Sequence, residues 1–451
     1  MTPQPLAATA PLTDAEGEKL LRRVLMRIVP FIFLCYVISY LDRTNVGFAA
    51  IGMNKDLGLT ATMFGWAAGL FFFGYFIFEI PSNLLMQRFG ARIWIARIMI
   101  TWGLVSMATA FVTGPVSFSI ARFLLGLAEA GFTPGVYLYF TYWFPGKWRA
   151  KATAAFLLGI PVANIIGSPV SGWLLDVHGV MGLQSWQLLL ILEALPAVLL
   201  GIVCLFVLVD TPAKARWLSE REKAWLAERL AREQQSISAS HGNTLRGALT
   251  NPKVFILAAI NFCCIVGSVG IGLWMPQIIK SMGWANSMVG LVAALPYLFG
   301  AVAMTLWARL ANRARHRLRY VVSALTLAAL ALVASALLSD PVLKITALGL
   351  AVASILAFQA TFWAIPSTFL TGRAAAGGLA LIVSIGNLGG FAGPFLIGLI
   401  KDMTQSFTGP FFCVAAILAI GTLLMVWLGD PSKKVATPGQ SPGLETSSHR
   451  P

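Results

Sequence analysis

The chain has 451 residues, of which 57% are hydrophobic and only 11% charged, where an ordinary soluble protein carries about 25% charged residues. That balance excludes a soluble multidomain enzyme as a starting point and indicates a protein built chiefly of membrane helices. The formal net charge of +15 raises nucleic acid as a partner, but the distribution of the charge argues against it.

The first residues are polar, with Asp14, Glu16 and Glu18 ahead of Lys19, Arg22 and Arg23. No small-residue cleavage site follows the first apolar run, which therefore reads as a retained membrane helix. Runs long enough to cross about 30 Å of hydrocarbon number twelve: 24–46, 62–86, 93–112, 115–143, 152–175, 185–209, 254–279, 287–308, 319–338, 343–369, 374–400 and 408–428. Placing the N-terminus inside puts 27 of the 33 Lys and Arg residues on the cytoplasmic side and four outside, Lys55, Lys280, Lys344 and Lys401. Arg43 and Arg122 remain within the membrane. Such an alternation over every short loop predicts both termini cytoplasmic, and the basic excess becomes a feature of topology and lipid contact, with no nucleic acid implied.

The expected organisation is a cytoplasmic N-terminal segment (1–23), a six-helix bundle (24–209), a cytoplasmic central loop with a surface helix (210–253), a second six-helix bundle (254–430) and a disordered cytoplasmic tail (431–451). In the central loop Ser219 and Glu222 have capping-box spacing, and Trp225, Leu226 and Leu230 share one side of the helix that follows. The halves echo each other, since Gly167 and Gly172 recur 226 residues later as Gly393 and Gly398. This is the pattern of parallel bundles related about the membrane normal.

Chemistry concentrates on two helices. Asp42 and Arg43 lie in the outer third of the first, and Arg122 and Glu129 lie within the fourth. Charged residues there cost roughly 2.5–3.5 kcal/mol each at mid-bilayer, so they mark a buried, water-accessible path. Two guanidinium groups at similar depth suit a carboxylate ligand, and Glu129 is a candidate proton carrier. The other reading makes Asp42–Arg43 and Arg122–Glu129 helix-pinning or gating pairs. Five cysteines, 35, 204, 263, 264 and 413, have no metal or disulfide spacing. No Walker, Rossmann or zinc pattern is present, so neither cofactor nor metal is expected.

The segments YLDRTNVGFAA (40–50), GLFFFGYFIFEIPSNLLMQRFGARIWIARI (69–98), ARFLLGLAEAGFTPGVYLYFTYWFP (121–145) and GIPVANIIGSPVSGWLL (159–175) resemble the anion:cation symporter branch of the major facilitator superfamily. Within it they are most similar to bacterial carriers for tartrate, 4-hydroxyphenylacetate, phthalate and sugar acids. The resemblance covers residues 20–430, more specifically in the first half. It implies an all-α integral membrane protein with the twelve-helix major facilitator fold. It also implies alternating access and import of a small organic carboxylate with protons in the bacterial inner membrane, by a monomeric unit whose partners are substrate, protons and lipid.

By the same resemblance Arg43 and Arg122 hold the carboxylate, Asp42 and Glu129 couple protons, and Tyr40, Tyr75 and Asn387 complete the pocket. Trp274, Gln277, Tyr297, Gln359 and Trp363 are candidate walls from the second half by their positions. Glu79 reads as a gate element, with Glu193 a further buried acid. The superfamily loop between helices two and three appears as Asn83, Gln87, Arg88, Gly90 and Arg92, with its usual acid replaced. The loop between helices eight and nine, with Ala308, Asn312 and Arg313, also lacks its aspartate. Those departures bear on how conformational states are held.

Orientation does not fix the direction of flux, so an exporter or antiporter of the same fold is the alternative. A multispanning membrane enzyme is the remote one, since His178, His241, His316 and His449 all lie in loops or the tail.

Overall fold

The computed structural model describes residues 12–178, 180, 182–239, 250–314, 316–366 and 372–429. His241, His449 and the tail from 430 lie outside these residues, and the Arg373 side chain is likewise not described. Twelve helices among the described residues are long and apolar enough to cross a membrane. We number them α1 (Asp14–Asp56), α2 (Ala61–Phe89), α3 (Ala91–Phe111), α4 (Pro115–Trp143), α5 (Gly146–Leu174), α6 (Ser185–Val207), α7 (Pro252–Lys280), α8 (Asn286–Arg313), α9 (Arg317–Leu337), α10 (Pro341–Phe362), α11 (Gly377–Thr404) and α12 (Thr408–Leu428).

The first helix exceeds its apolar run at both ends. Thr13 and Glu16 form a capping box that starts it, and its polar first turns serve as a platform outside the apolar stretch. Against this platform lies the loop helix Glu220–Ala239. Leu226 is buried, Trp225 covers Gly17, Arg23 pairs with Glu222, and Arg149 pairs with Glu233 at 2.6 Å. The loop helix is thus seated on the underside of the first bundle.

Helices α1–α6 pack among themselves, and α7–α12 do the same. The two bundles meet through α1 with α7, α2 with α11, and α5 with α8. In the last two pairs the contacts fall chiefly on the Gly389–Thr404 part of α11 and on the Gly159–Leu174 part of α5. Both lie toward the face opposite the loop helix, here called the far face. Gly172 and Gly290 let α5 and α8 touch backbone to backbone, leaving no room for a Cβ on either.

Two aspartates close this seam. Asp176, at the end of α5, accepts from Asn286 Nδ2 (3.0 Å) and Ser287 N (3.1 Å) at the start of α8. Asp402, near the end of α11, accepts from Ala61 N (3.1 Å), Thr62 N (2.7 Å) and Thr62 Oγ1 (2.6 Å) at the start of α2. Each carboxylate caps the N-terminus of a helix in the opposite bundle, where the dipole favours negative charge. The spacing of 226 residues that relates the glycines also relates Asp176 to Asp402. The sequence reading missed this pair, although the same spacing would have found it.

Asn54 Nδ2 adds a bond to Gln277 Oε1 across the seam, 3.4 Å long. Among the described residues the hydrogen bonds between bundles all lie toward the far face, so the bundles are closed there. Bridging cysteines at 54 and 277 with a short bifunctional methanethiosulfonate is therefore expected to stop transport, with recovery on reduction. Counterflow in proteoliposomes of the carboxylate that the resemblance implies checks this, and undiminished flux in the bridged protein would show that the seam need not open.

Candidate functional site

Between the bundles lies a cavity of about 80 Å³, counted over positions open to a water centre. One water needs roughly 10–15 Å³ by that measure, so several waters or a compact ligand fit. Tyr40, Arg43, Thr44, Phe71, Phe72 and Arg122 line the first-bundle side, and Ser268, Gly272, Tyr297 and Ile355 the second.

Close helix packing positions the two arginines. Gly74 of α2 lies against the Phe123 carbonyl of α4, and Gly126 of α4 against the Phe71 carbonyl of α2, neither with space for a Cβ. The Phe71 ring then sits beneath both guanidinium groups, 5.4 Å from Arg43 Cζ and 5.0 Å from Arg122 Cζ. Tyr40 and Tyr75 flank Arg43 at 5.8 and 5.2 Å. The negative faces of these rings favour the cations and leave their N–H groups available for an anionic ligand.

Glu129 is the counter-ion of Arg43. Arg43 Nε donates to Glu129 Oε1 at 2.8 Å, and Ser39 Oγ donates to the same oxygen at 2.7 Å. Ser39 and Arg43 are one turn apart on α1, so one helix face presents both donors. Glu129 is fully buried, and among the described residues its Oε2, Arg43 Nη2 and Arg122 Nε are buried with no protein partner. Unmet charge-bearing groups are costly in a dry interior. A ligand carboxylate would supply acceptors to both arginines.

The fourth helix breaks immediately beyond this glutamate. It runs as Pro115–Glu129 and resumes as Phe132–Trp143, with Gly131 at φ +87°, a conformation that favours glycine. Carbonyls in a terminal turn lack intrahelical donors, and Arg97 Nη1 donates to Ala128 O at 3.5 Å.

The pinning pairs suggested by sequence are replaced by a different one. Successive residues point about 100° apart on a helix, so Asp42 faces the interior of the first bundle while its neighbour Arg43 faces the cavity. Asp42 accepts from Ser106 Oγ and from Asn45 Nδ2 (3.2 Å). Glu193, also buried, accepts from Ser171 Oγ at 2.6 Å.

Of the other candidates, Tyr40 and Tyr297 line the cavity. Tyr75 stands behind Arg43, and Gln359 Nε2 donates to the cavity residue Ser268 (Oγ, 3.4 Å). Trp274, Gln277, Trp363 and Asn387 are not among the cavity-lining residues. Ser268 and Gly272 face the cavity, so Trp274, about 200° round the helix from Gly272, packs on Phe64 and donates to Pro394 O (3.2 Å). Gln277 lies in the far-face seam, Trp363 is 37% exposed against Phe362, and Asn387 ends the helical stretch Gly372–Asn387, whose later part opens α11.

Glu79 is half-buried on α2, where its carbonyl accepts from Asn83 Nδ2 at 3.0 Å. Arg88 lies over Phe89. Gly90, at φ +87°, abuts Asp210, whose Oδ1 accepts from Arg92 N (3.0 Å) and whose Oδ2 accepts from Lys214 (3.0 Å). A carboxylate from the end of α6 thus caps α3 in a region where the loop itself lacks its usual acid, and it does so within one bundle. Sequence reading missed Ser39, Phe71 and Ser268. The signals available were the four-residue spacing of Ser39 to Arg43 and the aromatic run of α2.

Four cysteines are buried and Cys413 half-buried, all free. Among the described residues no cluster of three His, Cys, Asp or Glu could hold a metal.

Two six-helix bundles enclosing a central, largely apolar cavity that two arginines line, closed on one face by a seam between them, define a secondary membrane transporter. The Major Facilitator Superfamily model matches residues 32–394, and the chain belongs to that family. It is 48% identical over 94% of its length, and 94% of the relative's, to a protein of Agrobacterium vitis named "Putative tartrate transporter". It is 39% identical to a quinolone resistance transporter of Acinetobacter baumannii, over 90% of this chain and 94% of that one. Among solved structures, the partially occluded inward-open xylose transporter XylE from E. coli superimposes with a TM-score of 0.74. That match covers 92% of this chain and all of the other at 12% identity, a likeness of fold.

Proposed function

We propose that this protein imports a small organic carboxylate, of the tartrate-like dicarboxylate class, together with protons across a bacterial inner membrane by alternating access. The observation that carries this reading is the placement of Arg43 and Arg122 on one cavity, with Glu129 already bonded to Arg43. The arriving carboxylate and Glu129 compete for the Arg43 guanidinium. A proton on Glu129 weakens its hold on Arg43 and leaves Arg43 and Arg122 to form charge-assisted bonds with substrate. Substrate release returns Glu129 to Arg43, and the proton leaves. Asp42, bonded to Ser106 and Asn45, is the second proton carrier in this scheme. The pair of arginines favours ligands with carboxylates, and similarity to the Agrobacterium vitis protein supports tartrate as the first compound to test.

Uptake of radiolabelled tartrate by proteoliposomes should rise with an imposed inward proton gradient and collapse when a protonophore is added. Gradient-independent uptake would remove the symport step. Export is the second reading, favoured by the similarity to the quinolone resistance transporter. A drug gradient formed by cells expressing this chain would support it.

The orientation follows the charge pattern: the loop helix and both termini cytoplasmic, residues 24–209 and 254–430 the two moving bundles, and 210–253 their connector. A cysteine at Gly182 should react with a membrane-impermeant maleimide in intact cells, whereas one at Glu228 should react only after permeabilisation. The reverse pattern would invert the topology.

A further inference from the structure

Three of the four lysines that the charge pattern leaves outside converge. Lys55 at the end of α1, Lys280 at the end of α7 and Lys401 on α11 line one cleft on the far face. The cleft straddles the seam, with Asn54 on one wall and Gln277 and Asp402 on the other.

Charge in this cleft is unbalanced. Both oxygens of Asp402 are committed to the start of α2. Asp56, beside Lys55 in sequence, accepts from Trp186 Nε1 at 2.7 Å. Among the described residues none of the three lysines has a carboxylate within ion-pair distance. Lys280 donates to Trp284 O at 3.2 Å, and Lys401 lies over the Trp274 and Phe407 rings at 5.0 and 4.5 Å. These contacts orient the ammonium groups and leave their charge unneutralised. Among the described residues Gln277 Nε2, buried in the seam, has no protein partner. Three ammonium groups against one carboxylate that is already bonded to a helix start leave the recess with an excess of positive charge, and such an excess concentrates counter-ions and raises their arrival rate. The cleft includes Asn54 and Gln277, whose bond joins the bundles, so parting the seam widens the cleft.

We propose that this cleft is a second anion site, an antechamber where Lys55, Lys280 and Lys401 capture a small di- or tricarboxylate before the seam opens. Its role in uptake rests on the reading that the far face is external, whereas anion capture itself needs only the three charges.

The test is acetylation of the full-length protein in phosphatidylcholine nanodiscs by a membrane-impermeant amine reagent, read at each lysine by mass spectrometry. Tartrate and citrate are compared with chloride at equal ionic strength. Modification of Lys55, Lys280 and Lys401 should slow roughly threefold or more, that of Lys344 should not change, and the protection should persist in Arg122→Ala. Equal protection of Lys344, or none anywhere, overturns the proposal. Loss of protection in Arg122→Ala assigns the effect to the central cavity and overturns it too. Protection by phosphatidylglycerol nanodiscs without added carboxylate assigns the lysines to lipid phosphate and likewise overturns it. A parent protein that protects these lysines yet fails to carry tartrate refutes the transport reading and leaves the anion site standing.

Discussion

Replacing Arg122 with alanine is expected to abolish tight binding of tartrate, the proposed ligand, to the purified protein. Arg122 is 3% exposed, seated over Phe71 on the cavity wall. Removing it leaves a bound carboxylate with its desolvation cost and without its forked donor, a loss of about 2–5 kcal/mol, or roughly 30-fold or more in affinity. Arg122→Lys should recover little, because an ammonium cannot reproduce two parallel N–H donors. Calorimetric titration of the parent and both variants checks this. Unchanged affinity in Arg122→Ala would remove the residue from the site.

Neutralising Glu129 should separate accumulation from exchange. In Glu129→Gln the side chain remains a hydrogen-bonding partner for Ser39 and Arg43, but it has lost the charge that competes with substrate and the site that carries the proton. Tartrate counterflow should therefore persist, while uptake driven by a pH gradient falls well below the parent's, to what Asp42 alone can couple. The two measurements belong in the same proteoliposome preparation, so that a folding defect lowers both. If Glu129→Gln concentrates tartrate under the gradient as well as the parent, the proton carrier lies elsewhere. Asp42 and Glu193 are then the buried acids to examine, each with one oxygen that has no protein partner among the described residues.

The twelve spans were legible because a membrane demands long apolar runs, and few soluble helices imitate them. Their ends were less so. Polar turns such as Asp14 to Arg23 continue α1 outside the apolar stretch, where hydropathy is silent and a capping box decides. Arg43 and Arg122 stood out for the same reason the spans did, since charge in an apolar helix is costly. Which acid meets which arginine was not legible. Asp42 is adjacent to Arg43 in sequence, yet helical geometry turns it away and brings Glu129 from another helix instead. The pocket walls of the second half were hardest to read. Ser268 and Gly272 carry no signal beyond being small, while the more conspicuous Trp274 faces a neighbouring helix.

The two aspartate caps on the far face have the geometry of an isologous contact. Asp176 of the first bundle meets the start of α8 in the second, and Asp402 of the second meets the start of α2 in the first. Such reciprocity is what a two-fold symmetric homodimer imposes on its own surface. The seam is therefore self-complementary although it lies within a single polypeptide. Each bundle presents to the other both an acid and a helix end that needs one, so the two caps repeat each other across the seam.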